Sequence, residues 1–227
     1  PILHDAAHSF GSNYKGTPIG KQHQYTMFSF DPVKTFTSLD GGVLIVKSQE
    51  EVEKLHEMRL VGMTQPSKTM YENKRAWTYD VLQLGYRYHM SNMHAAIGIQ
   101  QLKKHQIIED SRRHVCRVYN EELGEIKCIN VPKTDFHDIV PFLYYIRVPA
   151  KDRDNLRTYL FENGVDNGIH WQPGHWFTYF KDVKSGNLDV TDQVAKEILS
   201  LPLHSNMAEE DYKHVISMIQ SFYSDYK

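Results

Sequence analysis

The stretch 25–46 constrains the fold of this chain more than any other part of the sequence. Its first six residues are aromatic, β-branched and apolar, which is typical of a buried strand. An Asp-Pro pair ends that strand, and a Gly-Gly pair at 41–42 lets the backbone turn into a second apolar run. The pattern therefore predicts a strand, a loop and a second strand, with a single lysine, Lys34, in the loop.

The chemistry of Lys34 depends on its surroundings. A lysine near the end of a buried strand is partly desolvated, and because burial disfavours the ammonium form, its pKa falls. A neutral amine of this kind can form a Schiff base with a carbonyl. The alternative is a solvated loop lysine, which is the commoner case for a lysine with nothing around it. The residues that accompany Lys34 therefore decide between the two interpretations.

Two further groups precede the lysine in the sequence. The apolar pair 2–3 followed by Asp5-Ala-Ala-His8 predicts a short strand that delivers a carboxylate and an imidazole. An aldehyde cofactor with a pyridine ring and a phosphate needs a lysine, a carboxylate that keeps the ring nitrogen protonated, and donors for the phosphate. Lys34, Asp5 and Ser29 supply one of each group that such a cofactor needs.

Five blocks of the sequence follow one another in the order and spacing of a known family. They are Asp5-Ala-Ala-His-Ser-Phe-Gly-Ser12, Phe28-Ser-Phe-Asp-Pro-Val-Lys34 with Gly41-Gly42, Gly85-Tyr-Arg-Tyr-His-Met-Ser-Asn-Met-His-Ala-Ala-Ile-Gly98, Asn163-Gly-Val-Asp-Asn-Gly-Ile-His170 and Leu199-Ser-Leu-Pro-Leu203. The sequence thereby resembles the pyridoxal-phosphate-dependent sugar aminotransferases of the DegT/StrS family. Because several blocks match in register, the resemblance is specific, and it covers essentially the whole chain.

The resemblance implies an α/β chain of fold type I. Residues 1–110 correspond to the trailing part of the large cofactor-binding domain, including the lysine loop and the start of a long helix. Residues 111–227 correspond to a small C-terminal α+β domain. Family members are normally longer, with more than half of the large domain before the part that resembles residues 1–12. We therefore expect this chain to be a C-terminal portion, and the missing segment to carry a phosphate-binding turn and a ring-stacking aromatic residue.

The resemblance also implies roles for four residues of the first half. Lys34 falls at the Schiff-base lysine, which as a free amine moves the proton between the substrate carbon and the cofactor carbon. Asp5 falls at the carboxylate that pairs with the pyridinium nitrogen. His8 falls where a Gln or His lies close to the phenolic oxygen of the ring. Ser29 matches a hydroxyl that binds the phosphate.

Two further assignments depart from the family pattern. The usual block is Gly-Tyr-Asn-Tyr-Arg-Met, whose Asn reaches the phosphate in the neighbouring subunit, whereas this chain has Arg87 and His89 at the Asn and Arg positions. Arginine can bind a phosphate dianion through two parallel hydrogen bonds, so Arg87 is assigned that role in a homodimer. His170 falls where the family often has a His-Tyr pair near the sugar substrate, but here Trp171 follows. A surface histidine without this role remains the alternative.

Hydrophobic periodicity and turn residues predict the remaining elements. A serine-capped surface helix spans 48–61, and the irregular segment 62–84 is interpreted as an active-site or interface loop, with a simple surface excursion as the alternative. A nearly uninterrupted helix spans 91–123, with a possible break near His105. The small domain is predicted to contain strands at 127–131 and 142–149 and helices at 152–163, 190–201 and 208–223.

Other sites fit the sequence less well. His4 and His8 are four residues apart, a spacing that suits a metal on a helix, but their segment follows a strand. Gly16-Thr-Pro-Ile-Gly-Lys21 lacks the pattern of a phosphate loop, and its proline removes an amide that would bind phosphate. Neither a Gly-x-Ser-x-Gly elbow nor a Gly-x-Gly-x-x-Gly fingerprint occurs in the sequence.

Composition restricts the class of partner. The chain has 227 residues, of which 41% are hydrophobic and 24% charged, enough to bury a core in one or two domains. A net charge of −2 and a pI near 6.7 give no basic field for nucleic acid or an anionic membrane. No apolar run approaches the roughly 20 residues of a spanning helix. The two cysteines, Cys116 and Cys128, form no CxxC pair, and with no signal peptide at the start of the sequence they favour a reducing cytoplasm.

These observations together predict the reaction class. The expected protein is an aminotransferase that moves an amino group, with glutamate as the expected donor, to a keto-sugar carried on a nucleotide. Some relatives have a histidine in place of the Schiff-base lysine and dehydrate the sugar, and Lys34 argues against that chemistry. The alternative hypothesis is half of a split or degenerate aminotransferase that serves as an assembly partner.

Overall fold

The computed structural model describes residues 1–64 and 79–225 of the chain. The fold divides into two compact units, residues 1–105 and residues 106–227. The predicted division at 110/111 refers to the two domains of the family and stays a prediction. Most of the predicted irregular segment 62–84 lies outside the described residues, so its interpretation as a functional loop also stays a prediction.

A three-stranded sheet forms the centre of the first unit. Its strands are β1 (Leu3–Asp5), β4 (Tyr25–Ser29) and β5 (Gly42–Ile45), in that spatial order, and a small antiparallel pair is formed by β2 (Asn13–Tyr14) and β3 (Thr17–Pro18). β1 runs parallel to β4, and β4 runs antiparallel to β5. In β4, Thr26 and Phe28 are buried and their neighbours are half-buried, so the predicted buried strand is confirmed.

Two helices of the first unit begin at serine caps. Helix α1 (Gln49–Met58) is capped by Ser48, whose side chain accepts a hydrogen bond from the Glu51 amide while the Glu51 carboxylate bonds back to the cap. This capping box satisfies amides that a helix start leaves without partners. Helix α2 (Asn92–Lys103) begins after Ser91, which accepts from the amide of His94. The surface helix predicted over 48–61 is confirmed as α1, which ends at Met58, three residues before the predicted end.

The long helix predicted over 91–123 is interrupted at Lys104. Helix α3 (His105–Gly124) begins directly after it, and the boundary between the two units falls at its first residue. His105 Nδ1 lies 2.7 Å from the carbonyl oxygen of Leu102. The Lys104 amide donates to the Gln101 carbonyl, three residues back, at 2.9 Å, so the last turn of α2 tightens and the i to i−4 ladder ends there. The predicted break near His105 is confirmed.

The second unit packs helices against a two-stranded antiparallel sheet. The strands are β6 (Tyr144–Arg147) and β7 (Ile198–Leu201), the helices are α4 (Ala150–Glu162), α5 (Asp189–Glu197) and α6 (Glu209–Asp225), and two short 3₁₀ turns span Gly174–Trp176 and Thr178–Phe180. The largest fully buried core side chains are Tyr119, Tyr144, Leu123, Ile146, Leu156, Leu160, Leu199 and Ile219. This apolar core explains why the predicted α+β arrangement is stable.

Two predicted elements of this unit are wrong. Residues 127–131 form no strand, because only Asn130 pairs, in an isolated bridge to Arg147. The helix predicted over 190–201 ends at Glu197, and the next four residues form β7. Those four residues pair with β6 from Ile198 opposite Arg147 to Leu201 opposite Tyr144. Pairing with a distant strand thus overrides the local helical pattern.

Candidate active site

Two predicted cofactor ligands lie at the same edge of the first unit's sheet. Asp5 is the last residue of β1, stands opposite Met27 of β4, and is followed by the Ala6 amide, which donates to the Met27 carbonyl at 2.9 Å. Ser29 is the last residue of β4. Because the two strands are parallel, their carboxyl ends meet at one edge, which is where α/β sheets bind their ligands. The Oδ1 atom of Asp5 also accepts from the Ala7 amide at 3.1 Å, which fixes the carboxylate.

The turn that carries Lys34 is held by Asp31. The Asp31 side chain accepts from the Val33 amide at 3.0 Å, and the Asp31 carbonyl accepts from the Lys34 amide at 3.0 Å. An aspartate that bonds the backbone two residues on is a standard way to build a tight turn. The Ser29 hydroxyl oxygen accepts from the Asp31 amide at 3.4 Å, so the two predicted ligands Ser29 and Lys34 flank one turn. Lys34 itself is half-buried.

The Gly-Gly pair closes the base of the lysine loop. The Phe30 amide donates to the Gly41 carbonyl at 2.8 Å. Gly41 has φ of +124°, a conformation that L side chains rarely adopt. A Cβ on Gly42 would lie 2.7 Å from the Phe28 carbonyl oxygen. The sequence prediction that these two glycines turn the backbone into the next strand is therefore confirmed.

Three phenylalanine rings connect the segment after Asp5 with the lysine turn. Phe10 stacks on Phe36 with ring centroids 4.5 Å apart, and Phe30 meets Phe36 edge-on at 4.8 Å. Such ring pairs stabilise beyond the apolar area they bury. The sequence analysis did not identify this cluster. In the sequence, the signal for the cluster is that Phe10 follows Asp5 by five residues and that Phe30 and Phe36 flank Lys34.

The charges of Asp5 and Lys34 both act on His8. Burial lowers the pKa of His8, the nearby Lys34 ammonium lowers it further, and the Asp5 carboxylate partly opposes the shift. At neutral pH the imidazole is therefore mostly uncharged. The structure thus brings Asp5, His8, Ser29 and Lys34 to one region of the first unit.

Arg87 lies elsewhere in the first unit, beside the end of α1. The residues on either side of Arg87 bond to the backbone just after α1: the Val61 amide donates to Tyr86 O at 3.0 Å, and the Tyr88 amide donates to Arg59 O at 3.0 Å. The side chain of Arg87 is exposed and makes no hydrogen bond or ion pair with the residues that the structure describes. An exposed guanidinium of this kind is available to a phosphate from outside the unit. The role of Arg87 stays a prediction.

His170 belongs to the second unit. It follows Gly168, which exchanges two backbone hydrogen bonds with Ser200 of β7 at 3.1 and 2.7 Å. A Cβ on Gly168 would lie 2.7 Å from the His170 ring, so a larger residue there would require the imidazole to shift. His170 is exposed and, with Trp171, borders a cavity of about 340 Å³ against α5.

A second histidine close to this cavity was not identified from the sequence. His175 Nε2 lies 2.8 Å from Asp192 Oδ1, and the indole nitrogen of Trp176 donates to the same oxygen at 2.7 Å. The hydrogen bonds from His175 and then Trp176 lower the pKa of Asp192. In the sequence, the signal for His175 is that the His-Trp pair at 170–171 is repeated at 175–176.

The residues of the first unit fit a pyridine aldehyde better than a metal. A carboxylate suits a pyridinium nitrogen, an amine suits an aldehyde, and a hydroxyl at a turn suits a phosphate. In residues 1–64 and 79–225, no three metal-binding side chains converge. Within the same residues, no helix has the length and apolar character needed to cross a bilayer. The chemistry of these side chains fits pyridoxal phosphate, and the role of each residue stays a prediction.

Known proteins resemble this chain in sequence. The sequence profile of the DegT/DnrJ/EryC1/StrS aminotransferase family matches residues 1–220. A UDP-4-amino-4,6-dideoxy-N-acetyl-beta-L-altrosamine transaminase of Campylobacter jejuni subsp. jejuni serotype O:23/36 is 30% identical over 222 residues, which cover 95% of this chain and 56% of that protein. An uncharacterized protein of Methanocaldococcus jannaschii is 28% identical over 232 residues, 99% of this chain and 60% of that protein. The chain thus spans less than two thirds of both relatives.

Several solved structures resemble this chain in fold. The aminotransferase TlmJ from Streptoalloteichus hindustanus superposes with a TM-score of 0.86 at 24% identity, covering 100% of this chain and 59% of that one. A candidate sugar aminotransferase of Streptococcus pneumoniae, solved in its PLP-form, superposes with a TM-score of 0.81 at 25% identity, covering 99% and 58%. These comparisons confirm the predicted α/β class of fold type I and the predicted cofactor. The roles of the individual site residues stay predictions.

Proposed function

Because this chain belongs to the DegT/DnrJ/EryC1/StrS aminotransferase family, we propose that its protein transfers an amino group to a keto-sugar carried on a nucleotide. The observation that carries the proposal is that Asp5 and Ser29 end two parallel neighbouring strands and that the turn carrying Lys34 follows directly after Ser29. The similarity to a UDP-sugar transaminase of Campylobacter jejuni supports this substrate class. Glutamate is the proposed amino donor, as the family resemblance implies.

Each residue has a distinct proposed task. When bound, pyridoxal phosphate supplies an electron sink for the carbon that gains or loses a proton. The Nζ atom of Lys34, as a free amine, takes and returns that proton. The Asp5 carboxylate accepts a charge-assisted hydrogen bond from the ring nitrogen and keeps it protonated. The neutral His8 imidazole offers a hydrogen bond to the phenolic oxygen.

Phosphate and sugar binding are assigned to the remaining residues. Ser29 donates its hydroxyl to the phosphate beside the lysine turn. Arg87 reaches the phosphate of a second copy of the chain, because its guanidinium is exposed and makes no bond within the described residues. His170 contacts the sugar, since it borders a cavity in the second unit. The proposed active form is therefore a homodimer.

The proposal extends to the organisation of the protein. Residues 1–110 are assigned to the large cofactor-binding domain and residues 111–227 to the small C-terminal one. The described cysteines, Cys116 and Cys128, are both free thiols, which supports a reducing cytoplasm as the proposed location.

The experiment uses the full-length protein as its cell produces it, purified with pyridoxal phosphate. UDP-4-amino-4,6-dideoxy-N-acetyl-beta-L-altrosamine and related UDP-amino-sugars are offered with 2-oxoglutarate, and glutamate formation is measured. We expect glutamate with the wild type and none with Lys34→Ala. The alternative hypothesis is a non-catalytic or split half of such an enzyme that serves as an assembly partner. It predicts a colourless protein that stays colourless with added cofactor and forms no glutamate.

A further inference from the structure

The segment 171–183 of the second unit presents aromatic side chains at the surface. Its two 3₁₀ turns are built from local backbone bonds, such as Trp176 N–H to Pro173 O and Phe180 N–H to Phe177 O. The exposed aromatic residues of the segment are Trp171, Trp176, Phe177, Tyr179 and Phe180. Because exposed rings contribute little burial free energy, the position of the segment depends on hydrogen bonds to neighbouring elements.

One carboxylate oxygen accepts two such bonds. Asp192 Oδ1 accepts from the Trp176 indole at 2.7 Å and lies 2.8 Å from His175 Nε2. Asp192 lies in the first turn of α5, where the helix dipole favours an anion. Since bonds to a charged acceptor are roughly twice as strong as neutral ones, this pair is a firm attachment of the segment to the helix.

The same helix turn lines the cavity beside His170. Thr191 and Val194 of α5 form one wall, and His170, Trp171 and Pro173 form the opposite wall. The attachment at Asp192 therefore sets the distance between the two walls. On its other side, the chain before His170 is fixed by the backbone bridge between Gly168 and β7. The His170 segment is thus held by a backbone bridge on one side and by Asp192 on the other, and within it Trp171 stacks on Phe142 with ring centroids 6.4 Å apart.

We propose that Asp192 is a positioning residue that holds segment 170–176 against α5 and thereby shapes the cavity for the sugar ring of the nucleotide substrate. This inference rests on the proposed function. An exposed indole such as Trp171 offers a flat apolar face, and the imidazole of His170 offers a hydrogen bond, a combination that suits the apolar face and the hydroxyls of a sugar. Asp192 contacts neither the sugar nor the cofactor in this proposal, and acts only through His175 and Trp176.

The test compares Asp192→Ala and Asp192→Asn with the wild type in the full-length holoenzyme. Asp189→Asn is the matched control, because Asp189 lies in the same helix turn and its side-chain bond is to Asn187. Amide hydrogen exchange of peptides covering 170–180 should rise roughly tenfold in Asp192→Ala, with a smaller rise in Asp192→Asn and none in the control. Asp192→Asn retains an acceptor oxygen of the same size, which keeps the test informative if Asp192→Ala folds poorly.

Kinetics supply the second measurement. With UDP-4-amino-4,6-dideoxy-N-acetyl-beta-L-altrosamine as the probe, Asp192→Ala should raise KM for the sugar roughly tenfold with little change in kcat, and leave KM for 2-oxoglutarate unchanged. Unchanged exchange, or unchanged KM for the sugar, in an otherwise active enzyme overturns the inference and leaves the proposed function intact. A wild-type enzyme that transfers no amino group from any UDP-amino-sugar refutes the proposed function, and the substrate role of Asp192 with it.

Discussion

The ring of Phe10 stacks on the ring of Phe36 with centroids 4.5 Å apart. This contact joins the segment that begins at Asp5 to the turn that carries Lys34, two parts of the chain that the sequence separates by almost thirty residues. The relative position of the carboxylate and the amine therefore depends on an apolar contact that takes no part in the chemistry.

Replacing Phe36 by alanine should destabilise the first unit. Phe36 is 7% exposed, and a buried phenylalanine cut to alanine costs about 3–5 kcal/mol. Phe36→Leu should cost less, because it keeps most of the volume. Urea unfolding of the full-length protein measures both. Phe161→Ala is the control, since that ring is 71% exposed and the substitution should change stability by no more than about 0.5 kcal/mol. Equal losses for Phe36→Ala and Phe161→Ala would show that the ring cluster does not stabilise the site.

Lys34 should carry the cofactor covalently. Borohydride treatment of the full-length holoenzyme should fix the cofactor on the peptide that contains Lys34, because Lys34 is the lysine of the turn that follows Ser29 at the end of β4. Peptide mapping by mass spectrometry locates the adduct. Lys21 and Lys47 lie at other positions of the same unit and serve as internal controls. An adduct on either of them would refute the assignment of the site.

Asp5→Asn should slow turnover and leave cofactor binding largely intact. The neutral amide cannot hold a proton on the ring nitrogen as a carboxylate does, so the proton-transfer step loses its electron sink. A substrate deuterated at the carbon that loses its proton should show a larger kinetic isotope effect with the variant than with the wild type. Turnover equal to that of the wild type would contradict the proposed role of Asp5.

The pKa of His8 should respond to both neighbours in opposite directions. In the cofactor-free protein, NMR titration should find it below the ordinary value of about 6.5. Lys34→Met removes a cation and should raise it, Asp5→Asn removes an anion and should lower it, and Lys47→Met should leave it unchanged.

The direction in which stability changes with pH follows from the lowered pKa of His8. A folded-state pKa below the unfolded one means that the unfolded chain binds the proton more tightly. The contribution of His8 to stability is therefore present above about pH 6.5 and is lost as the pH falls through the folded-state pKa. A pKa of His8 that is the same in the wild type and in Lys34→Met would show that the two groups lie apart.

Arg87→Ala should weaken cofactor binding about ten- to a hundredfold, because a lost bond to a charged group costs about 1.5–3 kcal/mol. If Arg87 serves the site of a second subunit, mixing Arg87→Ala with Lys34→Ala protein should restore some activity in hybrid dimers. Each hybrid contains one site with an intact lysine and an intact arginine. A mixture that stays inactive after verified subunit exchange would place Arg87 outside the shared site.

The sequence by itself determined the local parts of this protein. The strands Tyr25–Ser29 and Gly42–Ile45, the serine-capped helix after Ser48 and the turn at Gly41-Gly42 follow from β-propensity, capping and backbone freedom. Each of these signals acts within a few residues, so no distant contact is needed to express it. The family blocks around Asp5 and Lys34 are also short stretches of sequence, so they too are recognisable without knowledge of distant contacts.

Only the tertiary structure decided the features that depend on distant partners. Residues 198–201 continue a helical pattern in sequence, yet they form a strand because Tyr144–Arg147 offers an edge with which they pair. In the sequence, Asp192 is one of several acidic residues near a helix start. It accepts hydrogen bonds from His175 and Trp176 only because the segment that carries them folds against α5. Side-chain contacts between segments far apart in the chain leave no periodic signal in either segment, because each contact is fixed by packing in three dimensions.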